Sequence, residues 1–151
     1  MVTESKEAKY QRIKNRPEPP YYGPLGLKIV EVGEGMAKVR LSYARAVTNP
    51  YGMVAGGIIT TLADTAVATA LLTLVEDEIL VSLEHKINFF RPAKGDLIAE
   101  ARVLNRGRSL AVAEAAVLDD QGRPLAKGLF TYAIREKKPL AGDEPGQART
   151  I

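Results

Sequence analysis

The sequence predicts an α+β domain in which five or six mostly antiparallel strands wrap around one long central helix. The helix is predicted over Ile58 to Val75, a stretch without proline or glycine that is rich in Ala and Leu. It is apolar on almost every side, and such a helix is normally covered by other elements. Runs of alternating apolar and polar residues, separated by turn residues, lie before and after it and predict the strands. A sheet curled around the helix satisfies both observations.

Two strands are predicted before the helix. Residues Leu25 to Val32 are typical of a strand and end at the turn Gly33–Gly35. Residues Met36 to Tyr43 alternate cleanly, which predicts a half-buried strand. Its apolar face is expected to hold Ala37, Val39, Leu41 and Tyr43, and its polar face Lys38, Arg40 and Ser42.

Four strands are predicted after the helix, over Ile79–Phe90, Leu97–Asn105, Leu110–Leu118 and Leu125–Arg135. The short connections between these four strands favour a meander. In the first of them, one face is expected to carry Val81, Leu83, Ile87 and Phe89, with Ser82, Glu84, Lys86 and Asn88 on the other. His85 shares the apolar face with Leu83 and Ile87 and is therefore interpreted as a packed structural histidine. The third of these four strands, Leu110–Leu118, is rich in alanine, and small side chains let a helix pack closely.

We expect one folded domain, residues 25–136, between two less regular segments. Residues 1–24 are predicted to form an N-terminal arm or short helix, broken by the prolines between Arg16 and Pro20. Residues 137–151 are polar and rich in Gly and Pro, which predicts a flexible tail.

Composition excludes several kinds of chemistry. The chain has no cysteine and one histidine, so neither a thiolate nucleophile nor a Cys- or multi-His metal site is expected. No stretch reaches about 18 consecutive apolar residues, and the charged N-terminus lacks the apolar core of a signal peptide. We therefore expect a cytoplasmic protein without a membrane partner. The net charge of +3 is too small to indicate nucleic acid binding.

The start and the middle of the helix carry the first candidate site residues. No Ser, Thr, Asp or Asn precedes it; Val54-Ala55-Gly56-Gly57 stands there instead. Its first backbone N–H groups are thus available to an oxyanion, although the glycines could instead serve close packing or a positive φ. Asp64, two turns further on, is a carboxylate on an apolar helix and is costly to bury unless it is paired or has a task. It could also be an ordinary exposed aspartate.

Several motifs together resemble hotdog-fold thioesterases of the PaaI / acyl-CoA thioesterase 13 type. The first runs from Asn49 through Gly52 and Ala55-Gly56-Gly57 to Leu62-Ala63-Asp64. The others are Val81-Ser82-Leu83 with Ile87 to Ala93 and Gly95-Asp96, then Asn105 to Ser109, and the strand after Asp120-Gln121-Gly122. The resemblance covers residues 25–136. It implies a hotdog fold and a homodimer or dimer of dimers that hydrolyses acyl-CoA, with coenzyme A as part of the substrate and no other cofactor.

The resemblance also implies roles for individual residues. Asp64 would activate water or attack the thioester directly, and the Gly56 N–H would polarise the carbonyl. Asn49 and Ser82 would assist, although Asn49 could simply hold a local turn and Ser82 belongs to a predicted polar face. Ala55 stands where the family usually has histidine, which removes a polar side chain beside the carbonyl but leaves the Gly56 N–H. His85 does not match the missing position.

Further residues are expected to contact the substrate. Ala55 and Gly57 flank the proposed oxyanion donor and are expected to line the substrate site. The segment Arg106-Gly107-Arg108-Ser109 presents two guanidinium groups suited to the phosphates of coenzyme A. Arg91 offers a third guanidinium group for the same contact. The alternative for this segment is an ordinary solvated bend.

Helix geometry predicts that the site spans two chains. Gly56 and Asp64 are eight positions apart on one helix, about 12 Å along its axis. Oxyanion donor and water activator must each lie within about 3 Å of the reacting atoms, so one helix cannot easily supply both. Two antiparallel copies related by a two-fold axis can. A non-catalytic acyl-CoA-binding or sensor protein of the same fold, suggested by Ala55, is the alternative function.

Overall fold

The computed structural model describes residues 4–137, and their fold confirms the predicted class. A six-stranded antiparallel sheet packs around one long helix. The helices are α1 (Lys6–Lys14), α2 (Tyr22–Leu25) and α3 (Gly56–Leu72), with a short 3₁₀ helix at Arg45–Val47. The strands are β1 (Leu27–Gly33), β2 (Met36–Leu41), β3 (Glu78–Phe89), β4 (Leu97–Arg106), β5 (Leu110–Asp119) and β6 (Pro124–Glu136). The predicted tail lies almost entirely outside the described residues.

The central helix α3 sits on alanine-rich strands. Its packing surface is fully buried, and small side chains on β4 and β5 allow the close approach. The fully buried residues include Leu62, Ala63, Ala66, Val67 and Ala70 of the helix and Ala99, Ala111, Ala113 and Ala115 of the strands. The helix ends at Leu72, before the predicted Val75. Thr73 stabilises the C-terminus of the helix, because its hydroxyl donates to Ala70 O and accepts from Gly35 N–H.

The chain enters the sheet later than predicted. Leu25 was expected to open the first strand, but it belongs to the short helix α2. Gly26, with φ of 64°, then turns the chain into β1. Such a positive φ favours glycine, so Gly26 marks the boundary that the apolar pattern alone did not.

The strand order is β1-β2-β4-β5-β6-β3, which corrects the predicted four-strand meander. Strands β4, β5 and β6 do form one, but β3 pairs with β6 at the edge of the sheet rather than with β4. The connection after β3 accounts for this. Phe90 N–H donates to Leu125 O and Val54 N–H donates to Ala93 O, so residues 90–96 run across the end of the sheet to reach β4.

A β-bulge in β3 overturns the predicted alternation of that strand. Ser82 pairs with Tyr132 and Glu84 pairs with Thr131, so Leu83 is an extra residue between them. Ser82 therefore faces the helix together with Tyr132 and does not share a face with Glu84. His85, now on the same side as Phe130, is exposed rather than packed, with its ring 5.5 Å from the Phe130 ring.

Because β3 is an edge strand, its apolar side chains are not covered. Val81, Leu83 and Phe89 are each about half exposed, at 46%, 55% and 49%. An apolar strand whose outer edge has no neighbouring strand is unusual in an isolated chain and commonly indicates pairing with another chain.

Candidate active site

Asp64 lies in a small polar cluster built from three elements. The Tyr132 hydroxyl, on β6, donates a hydrogen bond of 2.6 Å to Asp64 Oδ1. The Ser82 hydroxyl, on β3, lies 3.3 Å from both Oδ1 and Oδ2. The Asp64 side chain is half-buried on α3. The carboxylate is therefore paired with two hydroxyl donors, as its place on an apolar helix requires.

Strand register explains how these groups meet. Ser82 and Tyr132 are direct cross-strand neighbours, and such neighbours share one face of a sheet. The bulge at Leu83 is what turns Ser82 to this face. Tyr132 alternates with Phe130 and Ile134 in the last strand, so the sequence pattern alone puts it on the apolar face without giving it a role. A polar hydroxyl on that face, needing a partner, was the available signal.

Burial sets the state of Tyr132. Its side chain is 3% exposed. Desolvation, and then the hydrogen bond to Asp64, raise the pKa of Tyr132 far above its ordinary value. The phenol therefore remains neutral and remains a hydrogen-bond donor at neutral pH.

Helix α3 begins without a side-chain cap. Ala55 occupies the N-cap, and its side chain makes no hydrogen bond to the helix, although its carbonyl accepts from Ile58 and Ile59 N–H. Gly56 and Gly57 are exposed, and neither has a positive φ. A Cβ on Gly56 would lie 3.4 Å from the Phe89 ring, an ordinary contact, and one on Gly57 would meet nothing within 4 Å. Neither backbone conformation nor packing within the chain demands these glycines.

Asn49 holds a local turn with its side-chain oxygen. Its Oδ1 accepts from Tyr51 N–H at 3.0 Å and from Met53 N–H at 3.2 Å, which holds a tight turn. The turn borders an open cleft of about 360 Å³ at the start of α3. The cleft is lined by Asn49, Met53, Val54, Gly56, Ile59, Phe89, Phe90, Arg91, Pro92 and Ala93. Asn49, Gly56 and Arg91 are thus brought together.

The basic residues Arg106 and Arg108 lie away from this cleft, near the beginning of β3. Arg106 Nη2 donates to Glu78 Oε1 at 3.0 Å, at the beginning of β3. The turn that follows is held by Gly107 N–H donating to Leu110 O, and by Ser109 O accepting from Ile134 N–H. Arg108 lines the same surface. Gly56, Phe89 and Arg91 line the cleft at the other end of β3, so the two regions are separated by the length of this 12-residue strand, roughly 35 Å.

Within one chain the predicted residues therefore form three separate sets. Asp64 and Ser82 meet at Tyr132, while Asn49, Ala55, Gly56, Gly57 and Arg91 surround the start of α3. The third set is Arg106, Gly107, Arg108 and Ser109. Among residues 4–137, no three His, Asp or Glu side chains come together as metal ligands, and no helix is long and apolar enough to cross a membrane.

The curved sheet around one apolar helix is the hotdog fold, and comparisons with known proteins agree. Residues 51–126 match the Thioesterase superfamily. A 1,4-dihydroxy-2-naphthoyl-CoA hydrolase from Listeria monocytogenes is 30% identical, over 76% of this chain and 94% of that protein. The chain belongs to the thioesterase superfamily.

Solved structures place it within that superfamily more narrowly. A thioesterase family protein from Silicibacter pomeroyi is similar with a TM-score of 0.78 and 28% identity, covering 87% of this chain and 99% of that one. A variant of the phenylacetic acid degradation protein PaaI from Thermus thermophilus is similar with a TM-score of 0.70 and 27% identity, covering 76% and 98%. The predicted resemblance to PaaI-like hotdog thioesterases, and with it the prediction of a thioester hydrolase, is confirmed.

Proposed function

We propose that the protein hydrolyses an acyl-CoA thioester to a carboxylate and coenzyme A, at a site shared between two chains. Asp64 of one chain and the Gly56 N–H of the other would act on the same carbonyl group. The observation that carries this proposal is the Asp64 carboxylate itself, held by Ser82 and Tyr132 on a helix that has no other charged residue. The Listeria relative, a hydrolase of a CoA ester, supports the substrate class.

Two chemical routes fit a carboxylate in this position. As a general base, Asp64 takes a proton from water while the water oxygen adds to the thioester carbon. The C–S bond then breaks, and the proton passes to the departing sulfur. As a nucleophile, Asp64 adds to the same carbon and expels the thiolate, and water hydrolyses the resulting mixed anhydride. In both routes negative charge develops on the carbonyl oxygen.

The uncapped start of α3 supports a role in holding that charge. A backbone N–H at a helix N-terminus combines a hydrogen-bond donor with the positive end of the helix dipole. Ala55 supplies no competing side chain, and Gly56 and Gly57 leave the backbone open to approach. Asn49 borders the same cleft and is assigned the role of orienting the bound thioester.

The edge strand β3 supports assembly into a dimer. Antiparallel pairing of two β3 strands would cover their exposed apolar side chains and extend the sheet across the two-fold axis. It would also set the Glu78 end of one strand beside the Phe89 end of the other. Arg106 and Arg108 of one subunit would then approach the cleft at Gly56 and Arg91 of the other. These groups are assigned to the coenzyme A phosphates.

The thioesterase domain is proposed to have the limits predicted from the sequence. Residues 25–136 are assigned to the thioesterase domain, which contains every proposed site residue. Residues 1–24, which include α1, are assigned to an N-terminal arm. Two such dimers joined as a tetramer remain compatible with this assignment.

A non-catalytic acyl-CoA-binding protein is the second candidate, and Ala55 is the observation that favours it. The methyl group at the N-cap offers no polar contact beside the carbonyl site. This candidate predicts tight binding of acyl-CoA with no release of free thiol.

The two candidates are separated by a thiol-release assay with aryl, medium-chain and long-chain acyl-CoA esters. We expect turnover of at least one class by the unaltered protein. Asp64→Asn should reduce kcat by roughly 100- to 10,000-fold while the protein still folds and binds substrate. Asp120→Asn, which alters an exposed carboxylate in the β5–β6 turn, is the matched control and should be unchanged. Binding without thiol release by the unaltered protein would favour the second candidate.

A further inference from the structure

Tyr132 makes the shortest contact with the proposed catalytic carboxylate. Its hydroxyl lies 2.6 Å from Asp64 Oδ1 and 3.2 Å from the main-chain oxygen of the same residue. A phenol has one proton, so the short contact to the carboxylate is the principal hydrogen bond. A hydrogen bond to an ionised acceptor at this distance is among the stronger ones in proteins.

The two oxygens of Asp64 consequently have different surroundings. Oδ1 accepts the 2.6 Å bond from Tyr132 as well as a 3.3 Å contact from Ser82. Oδ2 has, among residues 4–137, only the 3.3 Å contact from Ser82. A short hydrogen bond stabilises negative charge on the oxygen that accepts it, and that oxygen becomes a weaker base and nucleophile. The oxygen better able to act on water or on a thioester is Oδ2.

The position of Tyr132 suits a fixed support rather than a proton donor. The ring is buried on β6, between the sheet and α3, so its direction is set by packing. Its approach to the Asp64 main chain ties the same hydroxyl to the helix backbone. Burial and the hydrogen bond to Asp64 raise its pKa far above the ordinary value, so the phenol keeps its proton and donates it to the bond with Oδ1.

We propose that Tyr132 is a positioning residue for the reaction: its hydroxyl holds Oδ1 of Asp64, so that Oδ2 faces the water or the thioester. This inference rests on the proposed role of Asp64 in hydrolysis. Tyr132 touches the Asp64 carboxylate, and it is through this contact that it would affect the reaction.

The test is Tyr132→Phe, which removes one oxygen and keeps the ring. Tyr22→Phe is the matched control, because Tyr22 is equally buried and its hydroxyl accepts from Arg16, away from Asp64. For Tyr132→Phe we expect kcat to fall about 10- to 100-fold, the scale of one hydrogen bond to a charged group, with KM within about twofold of the original. Tyr22→Phe should retain kcat, and both variants should remain folded by circular dichroism.

The possible results distinguish this inference from the proposed function. If the unaltered protein releases thiol, Asp64→Asn does not, and Tyr132→Phe keeps full kcat, then Tyr132 has no positioning role while the proposed function stands. If Tyr22→Phe lowers kcat as much as Tyr132→Phe, the effect is general destabilisation and the inference is wrong. If no acyl-CoA ester is hydrolysed by the unaltered protein, the proposed function itself has failed.

A measurement on the unaltered protein covers the case in which Tyr132→Phe does not fold. With tyrosine labelled at the ring carbon that bears the hydroxyl, NMR should show that the buried Tyr132 and Tyr22 do not titrate near pH 10, where free tyrosines do, because burial raises the pKa of both. Asp64→Asn should move the Tyr132 resonance more than any other tyrosine signal, that of Tyr22 included. If every tyrosine titrates normally, or if Asp64→Asn moves none of them, the hydrogen bond does not exist as described and the inference is overturned.

Discussion

The hydroxyl of Ser82 lies 3.3 Å from each carboxylate oxygen of Asp64, so one donor spans both oxygens of the group. Contacts of this length are weaker than the bond from Tyr132, and a single proton can serve only one oxygen at a time. Ser82 is therefore suited to orienting the carboxylate while leaving Oδ2 available.

Ser82→Ala should lower kcat by about 3- to 10-fold, well short of the loss expected for Asp64→Asn, because the stronger bond from Tyr132 remains. Steady-state thiol release measures the change, and KM should stay constant. Ser42→Ala, at an exposed serine just after β2, serves as the control. A loss for Ser82→Ala as large as that for Asp64→Asn would mean that Ser82 itself takes part in the reaction.

Gly56 allows the backbone donor to be removed without removing the helix. It is the first residue of α3, where proline is well tolerated, and Ala55 before it has the extended conformation (φ −63°, ψ 140°) that a following proline favours. Gly56→Pro, which lacks the N–H, should reduce kcat by about 100- to 1,000-fold.

Gly56→Ala is the matched control for that variant, because it adds a side chain in ordinary contact with Phe89 and keeps the N–H. It should retain most of the turnover. Equal activity of Gly56→Pro and Gly56→Ala, with both folded by circular dichroism, would show that the N–H of residue 56 does not stabilise the oxyanion.

Arg108→Ala should raise KM for acyl-CoA several-fold and leave KM for a truncated thioester without the nucleotide unchanged. The expectation follows from the assignment of this turn to the phosphates of coenzyme A. Arg12→Ala, at an exposed arginine paired with Glu4 on the surface, is the control. Equal changes in KM for the two kinds of substrate would remove the phosphate assignment.

Asp96 provides a prediction about pH and stability. The Tyr43 N–H, and then the Arg40 guanidinium, lower the pKa of Asp96 below its ordinary value. The folded pKa is thus below the unfolded one, so the carboxylate stabilises the fold above the unfolded pKa, and this contribution is lost as pH falls through the folded pKa. Asp96→Asn should lower Tm by about 1–4 °C at pH 7 and by less at pH 3. A difference in Tm that does not shrink at acid pH would contradict this.

The sequence was informative wherever a pattern depends on local burial. The apolar run of α3 and the alternation in β2 predicted their elements to within a few residues, and the lone carboxylate on α3 made Asp64 a candidate site residue. These features depend on which side chains are buried, and burial can be predicted from the polarity of each residue.

Features that depend on pairing could not be predicted in the same way. Alternation reports that β3 is a strand but not which strand lies beside it, so its place at the sheet edge was missed. The extra residue Leu83 is visible only against the register of β6. Once that register is known, Ser82 and Tyr132 fall on the face of Asp64. The contact between the Tyr132 hydroxyl and Asp64 thus depends on the fold and is not part of any sequence motif.

The central claim, that Gly56 of one chain and Asp64 of another serve one carbonyl, is tested most directly by mixing two inactive variants. Asp64→Asn and Gly56→Pro are combined in equal amounts, unfolded and refolded together, and assayed for thiol release. Random pairing makes half of the dimers mixed, and each mixed dimer regains one of its two sites, so about one quarter of the original activity should return. Activity no higher than that of the separate variants, in a preparation shown to contain mixed dimers, would place both groups within a single chain and contradict the account.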